Sequence, residues 1–385
     1  MHRSQLATRA TTLLAAGFLA IGIIVLPPAG AASAPAKATA ATPASVTHLR
    51  ALAEKGNVEA QYTLGVAYGR GQQVKQDYTM AAQWFTKAAK QGYAPAQTVL
   101  GVAYAHGQGV PQDYGKAAEW YRKAAKQGDA SAQELLGAMY YQGQGLPQNY
   151  DEAAKLFLAS ANQGYSDAQY NLGLLYLRGR GVPQDYGKAV AWFRKAAAQG
   201  NVNAQYNLGV AYASGQGVAA NAKEAASWFR KAAEQGDARA QLGLGAAYAG
   251  GQGVSQDLPQ AVVWFHKSAV QGNANAQYNL GVAYATGQGT TASPTRAVSW
   301  FRKAAAQGEP HAQFGLATSY ANGSGVPQDY VQALMWMIVA QHYGLAKSED
   351  VTTAVATVEK QMTKTQIAVA KKSAAQWLAS HQGKQ

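Results

Sequence analysis

The stretch AQYNLGVAYA fills residues 204–213 and returns letter for letter at 276–285, with AQLGLGAAYA at 240–249 between them. The chain therefore repeats itself every 36 residues. A chain of 385 residues would otherwise suggest two or three independent domains. An internal period instead means small repeats that each bury their apolar face against a neighbour and share one continuous core. Stacked at this period, the repeats begin at Asn57, Tyr93, Asp129, Tyr165, Asn201, Asp237, Asn273 and Glu309, eight in all.

Each repeat opens with Ala-Gln and an apolar segment ending in Tyr, passes through a Gly-x-Gly turn, and closes with a second segment of the type KAVAWFRKAAAQG. In the fifth repeat Ala204, Leu208, Ala211 and Tyr212 fall at i, i+4, i+7 and i+8, which predicts a first helix with one apolar face. Gly65, Gly101, Gly137, Gly173, Gly209, Gly245 and Gly281 sit inside this helix, where glycine costs about 1 kcal/mol relative to alanine. A costly residue kept at one position implies close approach of a neighbouring helix; the eighth repeat has Ala317 there. In the second helix Ala225, Trp228, Phe229 and Ala232 share a broad face. Asp77, Asp113, Asp185, Asp257 and Asp329, with Asn149 and Asn221, stand where an N-cap accepts free backbone N–H groups. Gln-Gly endings such as Gln199-Gly200 put glycine where a left-handed C-cap is needed.

AQYNLGVAYASGQGV, GVPQDY and WFRKAAAQG taken together resemble the Sel1-like repeat family, relatives of the tetratricopeptide repeats, over residues 57–344. Departures are local: Leu156 replaces the second-helix Trp in the third repeat, and the fifth and seventh lose the Pro and Asp of the loop, which predicts looser loops there. The expected fold is all-α, a right-handed α-solenoid of eight 36-residue helix-loop-helix Sel1-like repeats with helical caps. Residues 48–56 read as an N-terminal cap. In 345–385 an apolar stripe (Val351, Ala354, Val355, Val358, Met362) and the capping box Thr363-x-x-Gln366 predict C-terminal capping helices over VQALMWMIVA, which is apolar nearly all round.

Before the repeats, Arg3 and Arg9 precede an uncharged apolar run from Leu13 to Leu26, and Ala29, Gly30 and Ala31 supply a small-residue cleavage site. A run of 14 residues is short for a membrane span, which needs roughly 20. Residues 1–31 are read as a secretory signal peptide and 32–47, rich in Ala, Pro and Thr, as a disordered spacer. A periplasmic or secreted protein is expected, the alternative being an inner-membrane anchor from an uncleaved N-terminus. Loss of two arginines with the signal would lower the net charge from +13 to +11.

No constellation for catalysis emerges. The absence of cysteine excludes disulfides, thiolate metal sites and thiol nucleophiles. The seven histidines form no HExxH and no close ligand pair with a carboxylate, the Gly-x-Gly turns lack the rest of a phosphate cradle, and no Ser-x-x-Lys occurs. Neither enzymatic activity, a metal nor a cofactor is expected. The Trp column from Trp84 to Trp336 and the Tyr column from Tyr68 to Tyr320 read as core, and the Gln column from Gln61 to Gln313 as satisfying neighbouring backbone groups.

In tetratricopeptide-like solenoids first helices line the concave surface and asparagines there hold an extended peptide. The resemblance implies a protein-protein interaction scaffold or adaptor, exported on the N-terminal pattern, with Tyr170, Asn171, Tyr206, Asn207, Tyr278 and Asn279 meeting a peptide or protein partner. Packing between repeats is the other reading of these six residues. Lys87, Lys123, Lys195, Lys231, Lys267 and Lys303, with Arg122, Arg194, Arg230 and Arg302, are expected on the second-helix face away from Trp228. This ridge is either solvated or a weak site for anionic polymers or envelope components; export argues against nucleic acid as the partner. A β-lactamase-like envelope hydrolase or penicillin-interacting protein is the alternative from another class.

Overall fold

The computed structural model describes residues 46–345 and 348–381. The signal segment 1–31 and all but the end of the spacer lie outside these residues. Helix α1 (Val46–Glu54) begins two residues before the expected cap and precedes eight helix pairs. These are α2 (Val58–Arg70) with α3 (Tyr78–Lys90), α4 (Ala94–His106) with α5 (Tyr114–Lys126), α6 (Ala130–Gln142) with α7 (Tyr150–Asn162), and α8 (Ser166–Arg178) with α9 (Tyr186–Ala198). They continue as α10 (Val202–Ser214) with α11 (Ala222–Glu234), α12 (Ala238–Gly250) with α13 (Leu258–Val270), α14 (Ala274–Thr286) with α15 (Pro294–Ala306), and α16 (Pro310–Asn322) with α17 (Tyr330–Ala340). Helices α18 (Glu349–Glu359) and α19 (Lys364–His381) close the chain, and no strand occurs among the described residues. The architecture is an α-solenoid of repeats with two compact halves, residues 46–204 with Gln216–Val218, and Gln205–Gly215 with 219–381.

Helix ends follow from the expected side chains. Asp77 Oδ1 accepts from the N–H of Met80 at 2.9 Å and Asp257 Oδ1 from that of Gln260 at 2.9 Å, so each satisfies a donor with no intrahelical partner. Loop departures do not undo this: Asn221 caps α11, and Ser293 keeps the extended N-cap backbone of α15 without a side-chain bond. From the second repeat on, the second glycine of the turn is required by the preceding repeat; the first repeat has Gln73 there, at φ 61°. A Cβ at Gly109 would lie 1.9 Å from the carbonyl oxygen of Tyr78, at the start of the previous second helix.

The helical glycines make room for an aromatic ring of their own repeat. A Cβ at Gly101 would stand 2.5 Å from the Tyr121 ring, and one at Gly281 2.6 Å from Phe301. The eighth repeat alters both partners together: Ala317 takes the glycine position and Met337 the aromatic one, and the two are buried in one cluster. A flexible thioether chain gives way to the added methyl where a ring would not.

The tryptophans pack on the core as expected, Trp84 within it at 6% exposure and Trp120, Trp300 and Trp336 against its clusters, but they lie at its flank. The fully buried aromatic column is the adjacent one, with Tyr121, Phe157 and Phe229 at 2% exposure or less, whereas Trp120, Trp192, Trp228, Trp264 and Trp300 are half-buried. Phe faces the first helix of its own hairpin, which leaves its chain neighbour at the flank. A lysine three residues on covers that flank, with Lys231 Nζ 3.8 Å from the Trp228 ring centroid and Lys267 Nζ 3.9 Å from that of Trp264. The lysines therefore lie over the tryptophans and not away from them, as cation–π partners.

Glutamines join successive repeats as expected. Gln97 Nε2 donates to the Ala89 carbonyl at 3.1 Å, near the end of the previous second helix, while its Oε1 accepts from Gln127 Nε2 at 2.8 Å. Gln241 repeats the arrangement with Ala233 and Gln271. The relay stops in the eighth repeat: position 343 is Tyr, and Gln313 Oε1 is buried without a hydrogen-bond partner. There α17 runs into a π turn at Gln341–Leu345 containing Gly344 at φ 129°. Helices α18 and α19 cover α17, burying Val358 and Ala370 with Leu334 and Met337, and Ala374 with Val339. Thr363 and Gln366 form the expected reciprocal box, Thr363 N–H donating to Gln366 Oε1 at 2.8 Å and Gln366 N–H to Thr363 Oγ1 at 3.3 Å.

Candidate partner-binding face

The first helices carry the six candidate residues on a face whose tyrosines also meet the aromatic side chains of their own second helices. In the N-terminal half Tyr170 is 5% and Asn171 4% exposed; in the C-terminal half Tyr206 is 6%, Asn207 6% and Asn279 7% exposed, and Tyr278 is half-buried. These side chains form the floor of the face. The tyrosine rings lie across the second-helix aromatics: Tyr170 on Phe193 at 5.9 Å, Tyr206 on Phe229 at 6.0 Å and Tyr278 on Phe301 at 6.1 Å. Asn171 Nδ2 donates to Glu134 Oε1 of the previous repeat at 3.2 Å, which commits that amide to the stack. Asn207 Nδ2 is buried with no hydrogen-bond partner.

What lies open beside this floor differs from repeat to repeat. Two positions along the first helix, those of Asn203 and Ser214, are exposed in their own repeat and hold Glu59, Asp167, Arg239 and His311, or Arg70, His106, Arg178 and Asn322, elsewhere. Val66, Val210 and Val282 are half-buried between these rims. Arg239 places its guanidinium 4.4 Å from the Tyr206 ring centroid and pairs with Asp237. Burial raises the Tyr206 phenol above its usual range against the lowering effect of that guanidinium.

Glu134 was not singled out by sequence reasoning, although a carboxylate in a column of Tyr62, Tyr170, Tyr206 and Tyr278 is the signal that could have found it. It is 4% exposed, and burial, helped by the charge of Asp167, pushes its carboxyl up to about 8. Asp167 is itself raised by burial, opposed by a hydrogen bond from Asn201 Nδ2 at 2.9 Å.

The basic second-helix ridge is engaged with the stack. Besides the Lys–Trp pairs, Arg230 Nη2 donates to Tyr248 OH at 2.8 Å and Arg302 Nη2 to Tyr320 OH at 3.0 Å, each joining a second helix to the next first helix. These contacts account for the Arg-Lys pair of the repeat by packing alone.

Comparison with known proteins agrees with the repeat boundaries. The Sel1 repeat family model matches eight consecutive segments, 58–93, 94–129, 130–165, 166–201, 202–237, 238–273, 274–309 and 310–340. The chain is similar to c5321, a protective antigen of uropathogenic Escherichia coli strains with an SLR fold, at 31% identity over 87% of this chain and 95% of that one, TM-score 0.54. It is also similar to a Sel1 repeat protein from Oxalobacter formigenes, at 31% identity over 82% of this chain and 90% of that one, TM-score 0.59. No functionally curated protein matches it.

Proposed function

The chain belongs to the Sel1 repeat family, whose members are generally protein-interaction scaffolds and typically non-catalytic, and from that premise we propose that it is an exported adaptor that binds a protein or peptide through its first-helix face. One observation carries the choice of face. The Ala, Gln, Leu and Gly columns that pack the first helix keep the same residue in nearly every copy; at the Asn203 and Ser214 positions the helix changes residue, charge and size. A varied, ordered set of polar groups along one edge of the first helices is suited to discriminating a partner. Tyr170, Asn171, Tyr206, Asn207, Tyr278 and Asn279 would support it as a floor, the half-buried edge of Tyr278 being the part a partner reaches first. An extended partner would meet several repeats in turn, so modest contacts of about 0.5 to 1.5 kcal/mol per hydrogen bond could accumulate.

Export rests on the N-terminal pattern, and the similarity to a protective antigen of uropathogenic Escherichia coli strains is compatible with it. Affinity capture from the native envelope with the full chain tests the face. Asn203→Arg with Ser214→Glu is expected to lose the captured partner, while Lys231→Gln with Lys267→Gln keeps it; the opposite result would place binding on the second helices. The hydrolase alternative is tested with a chromogenic β-lactam, for which no turnover is expected.

A further inference from the structure

Because the chain carries eight copies of one design, each copy is a control for the others. A residue that departs alone is explained by the repeat only if a structural need departs with it. Two solitary departures meet between the third and fourth repeats. Position 141 is Tyr, where the other seven repeats have glycine, alanine or leucine; position 180 is Arg, where six repeats have glutamine and the last has Ser324. Arg180 Nη1 donates to Tyr141 OH at 2.8 Å, and Arg178 Nη1, from the end of α8, donates to the same oxygen at 2.9 Å.

Two guanidinium groups are thus fixed around one neutral phenol oxygen. Like charges brought so close repel, and the phenol oxygen does not neutralise Arg180. Among the described residues no carboxylate lies within ion-pair distance of Arg180. Its plane is held by aromatic neighbours, 5.7 Å from the Tyr141 ring centroid and 5.2 Å from that of Tyr150, the two rings themselves meeting edge to face at 5.2 Å. Stacking of this kind removes rotamer freedom and leaves the edge donors of the guanidinium for a ligand. Tyr141 is buried, Arg178 half-buried and Arg180 exposed, so the pair opens to solvent on the Arg180 side.

We propose that Arg178 and Arg180, braced by Tyr141 at the loop edge between the third and fourth repeats, form an oxyanion-binding site that takes a carboxylate or phosphate group. Planar guanidinium forks match both oxyanions bidentately. The site stands independently of the partner-binding reading, because small anions test it without a protein partner.

The experiment titrates the full chain at low ionic strength with pyrophosphate and, separately, with a hexaglutamate peptide. Saturable binding of one or both is expected; pyrophosphate alone identifies phosphate as the source, hexaglutamate alone carboxylate. Arg180→Gln installs the residue that six repeats already carry, so the turn keeps a side chain native to it, and circular dichroism and the melting temperature should not move. Affinity should fall on the order of tenfold or more, as for loss of one charge-assisted fork. Lys231→Gln with Lys267→Gln removes more charge elsewhere and should leave affinity nearly unchanged. Failure of both probes to saturate the unmodified chain, an unaffected Arg180→Gln variant, or an equal loss in the two variants would overturn the site, the last showing diffuse attraction to a basic protein.

Discussion

Glu134 shows how one side chain couples the repeat stack to pH. Its carboxyl is enclosed between the third and fourth repeats, accepts from Asn171, and is raised from 4.5 to about 8 chiefly by burial. A carboxyl that is harder to ionise in the folded chain than in the unfolded one leaves the unfolded chain with fewer bound protons between those two values. Stability from this group is therefore intact below 4.5 and is lost as pH rises towards 8. At 1.36 kcal/mol per unit the loss by pH 8 is on the order of 4 kcal/mol. Glu134→Gln keeps an acceptor for Asn171 and cannot ionise. Denaturant unfolding at pH 5 and pH 8 should show that variant nearly level between the two and more stable than the unmodified chain at pH 8 by a few kcal/mol. Equal slopes in both proteins would contradict a buried neutral carboxyl.

At the scale of the helix pair, the glycine of the first helix and the aromatic of the second act as one device. Gly281→Ala brings a methyl within 2.6 Å of the Phe301 ring, and overpacking of this kind costs about 1 to 3 kcal/mol, which outweighs the roughly 1 kcal/mol gained in helix propensity. The eighth repeat, with Ala317 and Met337, suggests the remedy. Gly281→Ala with Phe301→Met should be less destabilised than the sum of the single changes by about 0.5 kcal/mol or more in a double-mutant cycle; strict additivity would deny the coupling. Helix starts and stops were legible beforehand because a cap is local chemistry, as at Asp77, Gly200 and the Thr363–Gln366 box. The roles of Trp228 and Phe229 were not, because adjacent residues of one broad face are told apart only by which meets the first helix. That the six candidate residues lie on first helices was legible for the same local reason. Their burial depends on Glu134, Phe193, Phe229 and Phe301, which are distant in sequence, and Tyr141 with Arg180 needed a comparison across repeats that periodicity passes over.

For the whole molecule, an array of stacked repeats requires ends that do not continue the stack. Helix α17 is apolar nearly all round and would present Leu334, Met337 and Val339 if α18 and α19 were removed. Truncation after Leu345 is expected to turn a monodisperse protein into self-associating species in light scattering after size exclusion, whereas an unchanged profile would show that the final helices are dispensable. The export reading is checked by intact mass from the native envelope, with loss of residues 1–31 expected and their retention favouring an N-terminal anchor. The central claim, that the first-helix face is where this scaffold meets its partner, is tested most directly by photo-crosslinking in cells. With a photoreactive residue at Asn203, Ser214 or Thr286, the same partner should be captured from all three positions and not from Lys231 or Lys267. Capture from the lysine positions alone would contradict the account.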